Sequence, residues 1–182
     1  AVSAAKMWDI VVLALGEPPS WSGESASRTD LGLPCRQQQL FDAVAATGRP
    51  VVVVLFNGRP LAIPQIQSKA AAILEAWFPG AQGANGVADV LFGDADPSGR
   101  LTATFPRNVG QVPFYYNHYN TGRPGFGDYK GNYVDVPTTP LYPFGFGLAY
   151  TTFKFGEVQL SGPLLKPGET IKPQTPIKNR GA

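Results

Sequence analysis

The acidic residues that could act on a substrate are concentrated in one segment, residues 16–34. It contains two of the five glutamates of the chain, Glu17 and Glu24, with Trp21 between them and Arg28 just beyond. A carboxyl group that is desolvated beside a tryptophan ring has a raised pKa, which suits a general acid near neutral pH. Glutamates in loops are also often ordinary solvated residues. The residue types alone leave both interpretations open.

Other kinds of active site and partner find little support in the sequence. The chain has one cysteine and one histidine, too few for a typical zinc site or for an internal disulfide. It contains neither a Gly-x-Ser-x-Gly nor a phosphate-loop pattern, so we predict no metal and no cofactor. A net charge of +2 without a basic stripe argues against nucleic acid. The longest apolar runs, 10–15 and 51–56, are far shorter than the roughly 20 residues that span a bilayer, so no membrane partner is expected.

Three apolar runs predict the strands that position the acidic segment. Residues 9–15 and 51–56 are continuous runs typical of strands buried on both faces, and 71–78 is a weaker third. Helical spacing of apolar residues predicts helices over 36–47 and 82–92. This alternation predicts an α/β fold, a three-layer sandwich with a mostly parallel sheet.

In such a sheet, ligand-binding loops follow the carboxyl ends of the strands. Segments 16–34 and 57–67 are therefore expected at the functional edge. Farther along the chain, 112–143 is predicted to be an irregular lobe, and two short strands are predicted within 153–160 and 170–178. Since two strands rarely hold together alone, they either pair with the α/β domain or begin a further β domain.

Six segments, in this order along the chain, resemble family 3 glycoside hydrolases, in particular the bacterial periplasmic β-glucosidases. They are GESASRTDLGLP at 23–34, VVVLFNGRPL at 52–61, AILEAWFPG at 72–80, ADVLFGD at 88–94, PSGRLTATFPR at 97–107 and YPFGFGLAYTTF at 142–153. The resemblance implies an N-terminal barrel domain absent from this sequence. It further implies an α/β sandwich domain over 1–155 and the first antiparallel strands of a fibronectin-III-like domain over 156–182.

The resemblance also implies a retaining mechanism with two carboxyl groups. The nucleophilic aspartate would lie in the barrel domain, in a Ser-Asp-Trp-like motif that this sequence lacks, and the acid/base glutamate would lie in the loop 16–28. The Ser-Gly-Glu motif places that glutamate at Glu24, with Arg28 four positions on. Glu17 also follows a glycine and is the second candidate for the same role. Trp21 and Arg28 are expected to bind the substrate, and packing under the loop is an equal alternative for Trp21.

The activity implied is hydrolysis of terminal, non-reducing β-D-glucosyl residues of a β-glucoside or oligosaccharide. The isolated chain is expected to be inactive. Its expected partner is the barrel domain of the same protein, which could be part of the same chain or a separate chain. A homodimer is also possible. The alternatives are a β-xylosidase, a non-catalytic carbohydrate-binding or structural module, and an unrelated α/β enzyme. A periplasmic or secreted protein is implied. The absence of an initiator methionine and of a signal sequence after Ala1 predicts a natural start upstream.

Overall fold

The computed structural model describes residues 1–119 and 133–181. They form two compact units, which are described separately: Ala1–Ala95 with Arg100–Phe146, and Asp96–Gly99 with Gly147–Ala182. The domain boundary at residue 155 stays a prediction. In the part of the chain that the structure describes, no helix combines the length and the apolar character needed to cross a bilayer.

The first unit is built on a parallel sheet with helical connections. Its strands, in the spatial order β1-β2-β3, are β1 (Val11–Gly16), β2 (Val51–Phe56) and β3 (Ala72–Glu75). The register pairs Val11 with Val51 and Val52 with Ala72. The helices are α1 (Val2–Ala5), α2 (Gln37–Ala45), α3 (Pro64–Lys69) and α4 (Gly83–Phe92), and two short 3-10 helices cover Pro19–Trp21 and Val109–Gln111.

The central strand β2 anchors the core because it is paired on both sides. Val53 and Leu55 are fully buried and pack with Phe41 and Val44 of α2 and with Ile66 of α3. Apolar burial of this kind stabilises a fold by about 25 cal/mol per Å² removed from water. The ends of β2 are therefore the best-anchored points from which a loop can be positioned.

Strand β1 is less buried than its sequence predicts. Val11, Leu13 and Leu15 face the core, whereas Val12 on the other face is 52% exposed and Ile10 before the strand is 59% exposed. The prediction of burial on both faces is thus wrong for β1 in this chain. The physical reason is that the core cluster that includes α2 packs against one face of β1, and Val12 lies on the opposite face.

The second unit contains two small antiparallel pairs. The four strands are β4 (Phe153–Phe155), β5 (Gln159–Leu160), β6 (Pro173–Gln174) and β7 (Ile177–Asn179), with β4 paired to β7 and β5 to β6. The two predicted strands thus pair with each other, each interrupted once. An α/β domain with a parallel sheet, followed by an incomplete antiparallel β segment, is confirmed as the fold class.

Two local predictions differ from the structure, and a third is confirmed where it can be compared. The loop predicted over 57–67 contains the start of α3, whose first residue, Pro64, has the fixed φ that favours this position. The third strand ends at Glu75, because Trp77 has a left-handed φ of 50° that stops the extended backbone. The predicted irregular lobe is confirmed over 112–119 and 133–143, which contain no helix and no regular strand. The rest of the predicted lobe, 120–132, lies outside the described residues.

Candidate active site

Polar residues lie at the carboxyl ends of all three strands. Glu17 comes directly after β1, Asn57 follows β2, and Glu75 is the last residue of β3. Because carboxyl ends of parallel strands lie at the same edge of a sheet, these residues converge. We call this cluster, with Arg28 and Arg59, the carboxyl-edge site.

The close approach of β1 to β2 sets the position of Glu17. Gly16 has a φ of +141°, and a Cβ at this position would lie 1.9 Å from the carbonyl oxygen of Phe56, so only glycine fits. Gln37, at the start of α2, accepts from the Gly16 amide at 2.7 Å and donates to its carbonyl at 2.8 Å. The amide of Glu17 then donates to Phe56 at 2.8 Å. The backbone is tied on both sides just where Glu17 begins.

Glu17 is a buried carboxylate held between two arginines. Its side chain has no exposed surface. Arg28 Nη1 donates to Oε1 at 2.6 Å, and Arg59 Nε donates to Oε2 at 3.2 Å. A charge taken out of water is tolerated when opposite charges and hydrogen bonds satisfy it, and both oxygens are satisfied here. Glu17 joins loops that are 11 and 42 residues away along the chain.

Glu24 lies on the same loop in a different environment. It is exposed, and within residues 1–119 and 133–181 its carboxylate has no hydrogen bond or ion pair. The turn that carries it includes two left-handed residues, Gly23 with φ 119° and Ser25 with φ 59°. A positive φ is unusual outside glycine and often occurs where structure is strained for function. The carboxylate is therefore accessible from outside the described part of the chain.

Trp21 and Arg28 contact each other. The Arg28 guanidinium carbon lies 5.0 Å from the centre of the Trp21 ring, a cation–π arrangement. Arg28 Nη2 also donates to the carbonyl of Gly32 at 3.1 Å. Trp21 keeps 38% of its surface exposed. The ring thus packs against the arginine and keeps a part of its surface accessible, and its binding of substrate stays a prediction.

A second carboxyl group in the site was not singled out in the sequence. Glu75 Oε1 accepts from the Trp77 amide at 2.9 Å and Oε2 accepts from Asn57 Nδ2 at 3.3 Å. Burial raises the pKa of Glu75 from its ordinary 4.5 to about 7, and the two hydrogen bonds oppose that rise only in part. The signal in the sequence was an ionisable residue inside an apolar run.

Three of the four predicted site residues are thus in contact with one another, and the fourth is not. The structure joins Glu17, Trp21 and Arg28 in one cluster and leaves Glu24 exposed on the same loop; which glutamate is the acid/base stays a prediction. Arg59, Asn57 and Glu75 complete the cluster. Across the described residues, no group of three or more His, Cys, Asp or Glu side chains is arranged to hold a metal ion.

Comparison with known proteins relates this chain to one family. Residues 1–150 match the model of the glycosyl hydrolase family 3 C-terminal domain. A periplasmic beta-glucosidase of Salmonella typhimurium is 48% identical to the chain over 185 residues, which are 100% of this chain and 24% of that protein. A beta-xylosidase of Formosa agariphila is 46% identical over 182 residues, 100% of this chain and 25% of that protein.

Solved structures agree with the sequence comparison. The crystal structure of a beta-glucosidase from Listeria innocua in complex with glucose superposes with a TM-score of 0.91 at 42% identity, over 98% of this chain and 25% of that one. The chain spans about a quarter of the length of the curated relatives it matches.

Proposed function

Because the chain belongs to the C-terminal domain of glycosyl hydrolase family 3, we propose that it supplies the general acid/base of a retaining β-glycosidase, and that this residue is Glu24. The single observation that carries the proposal is the contrast within one loop. Glu24 is exposed and unpaired within the described chain, whereas both oxygens of Glu17 are occupied by arginines. A general acid must reach the oxygen that it protonates, and the buried Glu17 does not reach one.

The reaction needs a second carboxylate at short range. In a retaining glycosidase the nucleophile and the acid/base are about 5–5.5 Å apart. We propose that an aspartate of a barrel domain, outside this chain, attacks the anomeric carbon while Glu24 protonates the departing oxygen. Glu24 then removes a proton from the water that hydrolyses the glycosyl–aspartate intermediate. The chain alone would lack the nucleophile, so we expect no turnover from it.

We propose terminal, non-reducing β-D-glucosyl residues as the substrate and the periplasm as the location. The names of the Salmonella and Listeria relatives support these choices. The similarity to a beta-xylosidase supports β-xylosides as the second candidate. Comparing kcat/KM on matched aryl β-glucosides and aryl β-xylosides, with the full-length protein, separates the two.

The acid/base role is tested by Glu24→Ala in the full-length protein. General acid catalysis contributes about 10²–10⁴-fold, so turnover of substrates with poor leaving groups should fall by that factor. An activated aryl glycoside needs little protonation in the first step, and azide should restore its turnover by replacing water in the second. Glu157→Ala removes an exposed glutamate from the second unit and is the control. Near-normal rates for Glu24→Ala on both substrates, with loss of the first in Glu17→Ala, would show the assignment to be wrong.

A further inference from the structure

One arginine of the carboxyl-edge site contacts both sides of the turn that carries Glu24. Arg59 Nη2 donates to the carbonyl of Trp21 and, at 2.8 Å, to that of Ala26. These two carbonyls enclose the four residues of the turn, 22–25. We infer that Arg59 is the positioning residue for Glu24, holding both ends of its turn from the end of β2. The inference rests on the proposed role of Glu24.

The turn has few other means of holding its shape. Inside it, the Ala26 amide donates to Gly23 at 3.3 Å, a long hydrogen bond. Gly23 adopts its positive φ freely, but Ser25 has the left-handed φ given above, which a residue with a side chain adopts only when its surroundings impose it. A guanidinium can impose it because its fixed fork presents several donors in one plane. Removing the fork should let the turn relax and should displace Glu24.

Arg59 is itself held at two points, its side chain and its backbone. Its Nε donates to Glu17 Oε2 at 3.2 Å, and its carbonyl accepts from Asn57 Nδ2 at 2.9 Å. Asn57 is completely buried, and Glu75 accepts from the same nitrogen. A functional group is placed accurately when the residues that support it are also locked. This chain of contacts runs from the core strand β2 to the exposed turn.

Gly58, the neighbour of Arg59, leaves the space that the turn occupies. A Cβ at Gly58 would lie 2.1 Å from Ser22 Oγ and 2.7 Å from Cε2 of Phe78. Contacts this short are not tolerated, so any side chain here must push the turn away. Gly58→Ala therefore disturbs the turn while leaving the Arg59 side chain present, which makes it an independent second variant.

The main experiment is Arg59→Lys in the full-length protein, assayed on aryl glycosides whose leaving groups range from poor to activated. Lysine keeps the positive charge but does not offer the fork of donors. A displacement of about 1 Å can cost about 10²-fold in rate, so kcat on poor leaving groups should fall by roughly 10- to 100-fold. The loss should shrink as the leaving group improves, with KM changed by less than about threefold. Gly58→Ala should produce the same dependence on leaving group.

The decisive measurement repeats Arg59→Lys in a Glu24→Ala background. If Arg59 acts through Glu24, the second substitution should add almost nothing, because residues that work as a unit are not additive. Arg49→Lys, which changes the arginine before β2 at the opposite edge of the sheet, should leave the profile unchanged. Equal loss on all leaving groups, or a full further loss in the Glu24→Ala background, would overturn the positioning role. A Glu24→Ala variant with normal rates would instead reject the proposed function.

Discussion

The two edges of the parallel sheet use the same kinds of charged residue in opposite ways. At the carboxyl edge, Glu17 is fully buried between Arg28 and Arg59. At the amino edge, Lys69 and Asp42 form an ion pair of 3.2 Å whose side chains are 53% and 44% exposed. Ion pairs are thus buried and linked through a shared carboxylate at the carboxyl edge, and single and exposed to solvent at the amino edge.

Concave shape and buried charge point to different edges of the sheet. The amino edge has an open groove of about 560 Å³, lined by Asp42, Ala45, Ala46, Gly48, Arg49, Pro50, Lys69 and Ala71. Large concave sites are the usual first guess for function. In this groove the charges are solvated, whereas at the carboxyl edge Glu17 is buried and both of its oxygens accept from arginines. Compensated buried charge therefore marks the carboxyl edge, since burying a charge is costly unless it is compensated.

The largest effect expected from this comparison is that of Glu17→Ala on stability. It leaves the guanidinium groups of Arg28 and Arg59 facing each other without a counter-charge. Breaking a buried pair by removing one partner typically costs about 3–5 kcal/mol. We expect that loss in the unfolding free energy of the full-length protein, measured by urea denaturation. Because Glu17 also holds Arg59, any loss of activity should follow the leaving-group dependence expected for Arg59→Lys. A variant as stable as the wild type would show that the buried charges are not coupled.

The fold was largely predictable from the sequence, because strands and helices leave periodic patterns. Residues 51–56 were predicted as a strand and form one with those bounds. Parallel pairing of the apolar runs was also sufficient to place segments 16–34 and 57–67 at the same edge. The uncovered face of β1 was not predictable, because residue types alone do not reveal which neighbouring elements cover a strand.

The sequence predicted where the candidate site lies, at the carboxyl edge of the sheet. It did not predict which side chains of the site contact one another. The residue types in segment 16–34 did not reveal which of Glu17 and Glu24 is buried. That difference depends on Arg59, 42 residues from Glu17 along the chain, whose side-chain direction leaves no periodic signal. Glu75 is hard to single out from the sequence because it lies inside an apolar run that is typical of a strand. Its significance comes from the backbone of Trp77, which turns back and donates to it.

A smaller effect is expected from pH, through Glu75. Burial raises its pKa to about 7, above the ordinary 4.5 of the unfolded chain. The folded state therefore binds this proton more tightly, and the resulting stability is fully present below pH 4.5 and is lost as the pH rises through 7. Glu75→Gln does not titrate, so its deficit relative to wild type should shrink by on the order of 2 kcal/mol across that range.

The measurement is the unfolding free energy of both proteins from pH 4.5 to 8, with Glu157→Gln as the control that removes an exposed carboxyl group. A constant difference between wild type and Glu75→Gln would mean that Glu75 titrates alike in the folded and unfolded chain. A difference that grows with pH would mean that its charged form is the one stabilised by folding. Either result would mean that burial does not raise the pKa of Glu75, and that Glu75 behaves like the solvated charged groups of the amino edge.

The smallest effect should come from the amino edge. Exposed ion pairs contribute about 0–1 kcal/mol, because water and salt already stabilise the separated charges. A double-mutant cycle with Asp42→Ala and Lys69→Ala should therefore give a coupling energy below about 1 kcal/mol, and 1 M salt should abolish it. The matched cycle at the carboxyl edge, with Glu17→Ala and Arg28→Ala, should give a coupling several times larger that resists salt. Equal couplings at the two edges would mean that burial does not strengthen the ion pairs of the carboxyl edge.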